Sequence, residues 1–149
     1  AEGEKIPSKY SCDGQNTNPP LLFSDVPEDA QSLVLIMDDP DIPKFVQQKF
    51  HTPVWDHWVV FNIPSETREI QEGKNPPGKL GRNTSGNNTY GGPCPPDREH
   101  RYFFKLYALD TNLVGDKIAN KQDLEKAMEG HILEMGELMG VYDLERRNK

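Results

Sequence analysis

The side chains best suited to chemistry in this chain form three groups, each next to a proline-rich turn. Asp39 and Asp41 follow one apolar run, His57 opens a second, and His100 and Tyr102 open a third. An imidazole and a phenol donate hydrogen bonds to an anion, and carboxylates orient and charge histidines or accept from an ammonium group. If the three groups meet, they predict a small pocket for a charged ligand.

The segment from residue 90 to residue 110 positions two of these side chains. It begins with two glycines and three prolines, which predict a rigid, irregular rim containing Gly92 and Pro93. Residues 100–109 are rich in aromatic and branched side chains and predict a strand. Because side chains alternate along a strand, one face is expected to carry His100, Tyr102, Phe104, Leu106 and Ala108. The crowded prolines predict at least one cis peptide bond among residues 40–96.

Two further strands are expected to bring the other groups to the same place. Residues 33–37 are continuously apolar, which is typical of a strand buried on both faces, and Asp39 continues the alternation of its odd-numbered residues. Residues 57–63 form the second strand, in which His57 is expected to share a face with Val59, Phe61 and Ile63. Residues 44–54 between them predict a loop with one helical turn.

One longer helix is expected near the C-terminus. Asn120 is a good N-cap, and Gly140 is a plausible residue just past the helix end. Apolar residues follow Asn120 at spacings of three and four: Leu124, Met128, Ile132, Met135, Leu138 and Met139. Short strands are expected at residues 21–23 and 68–71.

Composition limits the possible partners. The 149 residues suffice for one domain with a core, and a net charge of −7 disfavours nucleic acid or an anionic membrane surface as the main partner. No apolar run approaches the roughly 20 residues of a transmembrane helix. A cytoplasmic location is expected, and an exported one stays open because the sequence begins with Ala1 rather than Met.

The two cysteines, Cys12 and Cys94, both lie in turn-like contexts. They form no Cys-x-x-Cys pair, which disfavours structural zinc. Spacing alone leaves two reduced thiols or one long-range disulfide open. A disulfide would tie the N-terminal arm to the rim.

Each polar group also has an ordinary structural interpretation. An aspartate after a strand usually forms a turn, a histidine at a strand end is usually a hydrogen-bonded boundary residue, and a tyrosine like Tyr102 more often belongs to the core. The repetition of one arrangement at three strand ends weakens that interpretation.

Four segments, residues 39–43, 57–62, 91–93 and 100–102, resemble the phosphatidylethanolamine-binding protein family. That family includes the Raf kinase inhibitor proteins. The resemblance covers nearly the whole chain and favours the bacterial and archaeal branch. It implies a mainly β fold, an antiparallel β-sandwich with a C-terminal α-helix, as a single domain over residues 1–149. It also implies a pocket for phosphate or a phospholipid head group, built from Asp39, Asp41, His57, Gly92, Pro93, His100 and Tyr102.

Three functions follow from these observations. The first is a non-enzymatic binding module for a phosphorylated small molecule or head group, with no cofactor. The second is an inhibitor of a kinase or protease that acts through loops around the pocket. The third is a metal-assisted hydrolase using Asp39, His57 and His100.

For the binding module, the histidines set an expected pH dependence. If Asp39 and Asp41 keep His57 and His100 charged, anion binding should be strongest at weakly acidic to neutral pH. His100→Ala is then expected to weaken binding without unfolding the domain, since a strand-end residue lies outside the core.

Overall fold

The structure is a computed structural model that describes residues 2–148. Apolar runs bounded by prolines and glycines become strands, and two amphipathic segments become helices. In chain order the strands and α-helices are β1 (Leu21–Leu22), β2 (Ser32–Asp39), α1 (Lys44–Phe50), β3 (Trp55–Pro64), β4 (Glu69–Ile70), β5 (Lys79–Leu80), β6 (His100–Leu109), α2 (Lys121–Met128) and β7 (Ile132–Tyr142).

The strands form two antiparallel sheets. The larger has the order β5-β3-β2-β6-β7, and the smaller pairs β1 with β4. The central strand β2 is buried along its whole length and divides the core in two. Leu33 and Leu35 pack toward the small sheet with Ile70, whereas Val34 and Ile36 pack toward Leu124 of α2. The expectation of a mainly β antiparallel fold with few helices is confirmed.

Strand β3 departs from simple alternation at two β-bulges. Opposite β2, the pairing shifts between Leu33 and Leu35 and again between Met37 and Asp38, where Trp58 and Asp56 are the successive partners and His57 is the extra residue. A bulge turns the extra side chain out of register. The prediction that His57 shares a face with Val59, Phe61 and Ile63 is therefore wrong. Ile63 belongs to the small-sheet side of the core, Val59 and Phe61 belong to the α2 side, and the His57 ring lies edge-on to Tyr102.

The C-terminal helix is much shorter than predicted. Asn120 caps α2 by accepting from the Asp123 amide, as expected, but the helix ends at Met128. A turn through Gly130, at φ +79°, leads into β7, which pairs with β6 from Leu109↔Ile132 to His100↔Tyr142. Cross-strand hydrogen bonding to an existing sheet outweighs the local helical spacing. Ile132, Met135 and Leu138 are consequently partly exposed rather than packed on the sheet.

The connection between β2 and β3 is more regular than predicted. The expected loop at residues 44–54 contains the seven-residue helix α1, which is followed by a C-cap residue, His51, in a left-handed conformation.

Every peptide bond described is trans, so the prediction of a cis proline among residues 40–96 is wrong. The trans isomer is the intrinsically favoured one, and this backbone accommodates it.

Candidate functional site

A cavity of about 370 Å³ opens where β2, β3 and β6 meet the glycine-proline rim. Four of the predicted residues line it: Asp39, His57, Gly92 and Tyr102. These residues come from four separate segments, so tertiary structure brings them together. The other three, Asp41, Pro93 and His100, lie next to the cavity without lining it.

His100 lies behind Asp39 and is held between two carboxylates. Its Nδ1 is 2.6 Å from an Asp39 oxygen, and its Nε2 is 2.6 Å from an Asp97 oxygen. Burial favours the neutral ring, but the hydrogen bonds and charges of both carboxylates outweigh burial and raise the pKa of His100. With its side chain fully buried, His100 orients Asp39 instead of reaching the cavity. That His100→Ala leaves the domain folded stays a prediction, but its stated reason does not hold, because His100 is buried and its removal would leave Asp39 and Asp97 without their shared partner.

His57 has the opposite electrostatic character. Its Nδ1 lies 2.7 Å from the Gly91 carbonyl oxygen, which can only accept, so Nδ1 carries the proton. Burial lowers the pKa of His57 despite the nearby Asp39 carboxylate. The neutral ring therefore directs the lone pair of Nε2 away from that hydrogen bond. The expectation that Asp39 keeps His57 charged is wrong, since desolvation is the larger effect here.

Tyr102 provides the unusual donor of the site. Its ring is fully buried between His57 and His100, with centroid distances of 5.3 Å and 6.4 Å respectively. Within the described residues its hydroxyl is one of two buried side-chain polar atoms without a hydrogen-bond partner. Burial, followed by the Asp39 charge, raises the pKa of Tyr102. The phenol therefore stays protonated, and its hydroxyl can donate a hydrogen bond to a ligand.

The Asp41 carboxylate forms its hydrogen bonds with Arg101, outside the cavity. Its carboxylate receives Nε and Nη2 of Arg101 at 2.9 and 2.8 Å, and also the Arg101 amide at 2.9 Å. The Arg101 hydrogen bond is the main reason that the pKa of Asp41 falls to about 2. The sequence interpretation placed Asp41 among the ligand-binding residues. In the structure Asp41 does not line the cavity and its carboxylate is paired with Arg101, so a ligand-binding role for Asp41 stays a prediction.

The glycine-proline rim packs tightly against the N-terminal arm. A Cβ added at Gly92 would lie 2.2 Å from both the Asn16 side chain and the Tyr10 carbonyl oxygen, so only glycine fits there. The Gly92 amide donates to Asn16 at 2.8 Å, and the Gly91 amide donates to the His57 carbonyl at 2.9 Å. These two rim amides are therefore not available to a ligand.

A disulfide joins the arm to the rim. Cys12 and Cys94 are bonded, with Cα atoms 5.5 Å apart, and both line the cavity. The Cys12 amide donates to the Pro93 carbonyl at 3.1 Å, which gives Pro93 a place in the rim rather than in the cavity.

One wall of the cavity is apolar and was not predicted from the sequence. It consists of Ile42, Val46 and Phe50 from the α1 region together with Trp55, whose ring meets Phe50 edge-on at 4.7 Å. Residues 44–54 show no clear periodicity, so no sequence pattern pointed to this wall. The cavity thus has a polar floor and an apolar side.

The opposite face of the same strand ends carries a buried ion cluster that sequence reasoning missed. Lys121, the first residue of α2, places Nζ 2.6 Å from Asp56 and 3.6 Å from Asp38, and Lys105 lies 3.0 Å from Asp38. Burial raises the pKa of Asp56 despite Lys121. Asp38 and Asp56 immediately precede Asp39 and His57 in the sequence, so this cluster supports the cavity floor from behind. The alternation of side chains along β2 and β3 was the sequence signal that could have placed Asp38 and Asp56 on this opposite face.

Two further searches of the described residues bear on function. Within residues 2–148, no three His, Cys, Asp or Glu side chains are grouped so that they could hold a metal ion. None of the helices in that range is long and apolar enough to cross a membrane.

The fold agrees with what comparison to known proteins shows. A profile of the family described as "Phosphatidylethanolamine-binding protein" matches residues 1–143. The chain belongs to the phosphatidylethanolamine-binding protein family.

Similar proteins are found in a bacterium and in an archaeon. A UPF0098 protein of Chlamydia pneumoniae is 47% identical over 143 residues, covering 96% of this chain and 93% of the relative. A UPF0098 protein of Methanothermobacter thermautotrophicus is 49% identical over 144 residues, covering 93% and 90%.

Solved structures show the same fold. A phosphatidylethanolamine-binding protein homolog from Chlamydia trachomatis superimposes with a TM-score of 0.92 at 45% identity, covering 97% of this chain and 93% of the other. YbcL of E. coli, described as a member of the mammalian PEBP family, superimposes with a TM-score of 0.83 at 30% identity and the same coverage.

Proposed function

We propose that this protein binds a small phosphorylated ligand or a phospholipid head group in the cavity at the strand ends. The observation that carries the proposal is the buried Tyr102 hydroxyl, which has no hydrogen-bond partner in the described part of the chain although it belongs to a cavity-lining residue. An unpaired buried donor costs about 1–3 kcal/mol, and a bound oxygen would offset that cost. The neutral His57 and the apolar wall fit a ligand with a polar head and a less polar body. The family description, phosphatidylethanolamine-binding protein, supports this ligand class.

Calorimetric titration with inorganic phosphate and phosphoethanolamine tests the proposal. Both are expected to bind wild-type protein, and His57→Phe is expected to abolish binding because it removes both ring nitrogens while keeping an aromatic ring beside Tyr102. His51→Phe is the matched control, since His51 is exposed and lies outside the cavity. Absence of binding to wild type, or equal loss in both variants, would contradict the proposal.

A protein-binding inhibitor of a kinase or protease is the second candidate. It is favoured by the exposed Phe45 and Phe50 on α1, which are 61% and 41% exposed, with Phe50 at the cavity wall. Capture of a partner in the presence and absence of phosphate separates the two functions. Competition by phosphate would place the partner at the cavity, whereas capture unaffected by phosphate would place it elsewhere.

A further inference from the structure

The floor of the cavity carries more hydrogen-bond acceptors than an anion pocket needs. A fully deprotonated oxyanion has only acceptor oxygens, so every protein group facing it should donate. The Tyr102 hydroxyl can donate, whereas the Asp39 carboxylate and Nε2 of the neutral His57 ring can only accept. The ligand must therefore be protonated, so that it can donate a hydrogen bond to these acceptors.

The Asp39 carboxylate is held as an acceptor by its surroundings. One oxygen accepts from His100 at 2.6 Å, and the other accepts from the Asp41 amide at 2.7 Å. Each carboxylate oxygen keeps a further lone pair, so the group can accept again from a ligand that lines up against it.

His57 is an acceptor for a separate geometric reason. The Gly91 carbonyl requires the proton on Nδ1, so Nε2 of the neutral ring carries a lone pair. Among residues 2–148, that nitrogen has no hydrogen-bond partner. Two acceptors from different strands thus stand beside one phenol donor.

We infer that the pocket takes a tetrahedral oxyanion in a protonated, monoanionic form, such as dihydrogen phosphate or a phosphomonoester monoanion, and rejects sulfate. This inference rests on the proposed function and specifies which chemical form of the ligand is bound. The hydroxyl of the anion donates to Asp39 or to His57 Nε2, and another of its oxygens accepts from Tyr102.

The charges around the cavity favour the monoanion as well. Among the described lining residues there is no lysine or arginine, and Asp39 is the lone carboxylate. His100 on β6 and Asp97 on the rim lie behind Asp39, while Asp38 and Asp56 face the other side of the sheet with Lys121. The lining residues from α1 and the N-terminal arm are uncharged. A second negative charge on the ligand would therefore meet Asp39 without a cation in the cavity.

Phosphate and sulfate differ in this respect while sharing shape. At neutral pH sulfate has no proton to donate, so Asp39 and His57 Nε2 would face it without receiving a hydrogen bond from the ligand. Sites built to bond a ligand hydroxyl reject analogues that lack it by large factors, and a buried acceptor that faces such an analogue costs tenfold or more. We expect phosphate to bind at least about tenfold more tightly than sulfate near pH 6.

Titration of wild-type protein with inorganic phosphate and with sulfate, from about pH 5.5 to about pH 8.5, tests the inference. Phosphate affinity should fall with rising pH, approaching about tenfold per unit above its second ionisation, as the monoanion fraction does. Equal binding of phosphate and sulfate, or phosphate affinity that does not fall, would overturn the inference and leave the proposed function intact. If neither anion binds, both are overturned.

Proton linkage identifies where the proton resides. At alkaline pH, phosphate binding in buffers of different ionisation enthalpy should show uptake of about one proton, because the dianion must regain it. If His57 took up that proton instead, sulfate would bind with the same uptake. Sulfate binding accompanied by proton uptake would therefore overturn the inference.

Two aspartate variants provide a matched comparison. Asp39→Asn replaces the cavity carboxylate by a neutral amide, and the ratio of phosphate to sulfate affinity is expected to fall toward one. Asp97→Asn also removes one carboxylate from His100 but does not line the cavity, so its ratio should stay high. A ratio that falls equally in both variants would overturn the role of Asp39, and the wild-type titrations decide the inference if Asp39→Asn does not fold.

Discussion

At the scale of single residues, the pocket depends on pairs of like groups held in different states. His57 and His100 are both buried, yet the first is held neutral by burial, and the second is charged by two carboxylates. Tyr90 and Tyr102 are both buried phenols, yet only one has a hydrogen-bond partner. The same residue type therefore has different roles that can be separated by substitution.

Tyr102→Phe is expected to have opposite effects on stability and on binding. Removing an unpaired buried hydroxyl should leave the free energy of unfolding unchanged or raise it by about 1 kcal/mol, while phosphate affinity falls about tenfold. Tyr90→Phe is the matched control. It removes a hydroxyl that donates to the Tyr10 carbonyl at 2.7 Å and should lower stability by about 1 kcal/mol. Chemical denaturation and calorimetry measure both effects, and an equal loss of stability in the two variants would mean that the Tyr102 hydroxyl has a partner.

The two histidines should shape the pH dependence of stability in opposite directions. The unfolded pKa is about 6.5 for both. The lowered folded pKa of His57 means that stability falls as the pH drops below that value, because the unfolded chain binds the proton more readily. The raised folded pKa of His100 means that stability falls as the pH rises above that value, because the folded chain loses a proton it held more tightly.

Urea midpoints measured between about pH 5 and about pH 8 check this expectation. His57→Gln should flatten the acidic side of the profile, and His100→Gln should flatten the alkaline side, so each variant serves as the control for the other. If His57→Gln flattened the alkaline side instead, the assignment of the neutral ring would be wrong.

At the scale of elements, the site is made by strand ends whose two faces are different. Asp39 and His57 face the cavity, while their chain neighbours Asp38 and Asp56 face α2 across the sheet. Lys121 lies at the start of α2 and neutralises both of those carboxylates. The helix therefore stabilises the strand ends from the side opposite the ligand.

Lys121→Met is expected to destabilise the protein by about 3–5 kcal/mol, because it leaves the buried Asp56 carboxylate without a cation 2.6 Å away. Lys126→Met on the same helix is the control, since Lys126 is exposed and the change should stay within about 0.5 kcal/mol. Thermal or urea unfolding measures both variants. Similar small effects would show that the ion cluster adds little to stability.

At the scale of the whole molecule, the disulfide connects two segments that the sheets alone do not join. It links the N-terminal arm to the rim across 82 residues of sequence.

Reduction, or replacement of both cysteines by serine, is expected to lower the free energy of unfolding by about 2–5 kcal/mol, since a long loop is released in the unfolded chain. Phosphate affinity should fall too, because both cysteines line the cavity. The double serine variant is the control for reductant and should not respond to it. Native protein whose two thiols alkylate freely without reductant would contradict the bond.

The sequence by itself determined the parts that depend on local pattern. The buried character of β2 follows from an unbroken apolar run, and the placement of His100 and Tyr102 on one face of β6 follows from alternation along a regular strand. Prolines and glycines marked where those strands end. These features need no knowledge of a partner segment.

Tertiary structure decided what depends on a partner far along the chain. Residues 132–139 have helical spacing but pair with β6, because hydrogen bonds to a neighbouring strand outweigh a local preference. A bulge opposite β2 turns His57 toward the cavity, and Arg101 captures Asp41. The charge states of His57 and His100 were also decided there, since burial and distance set a pKa and neither can be read from residue types.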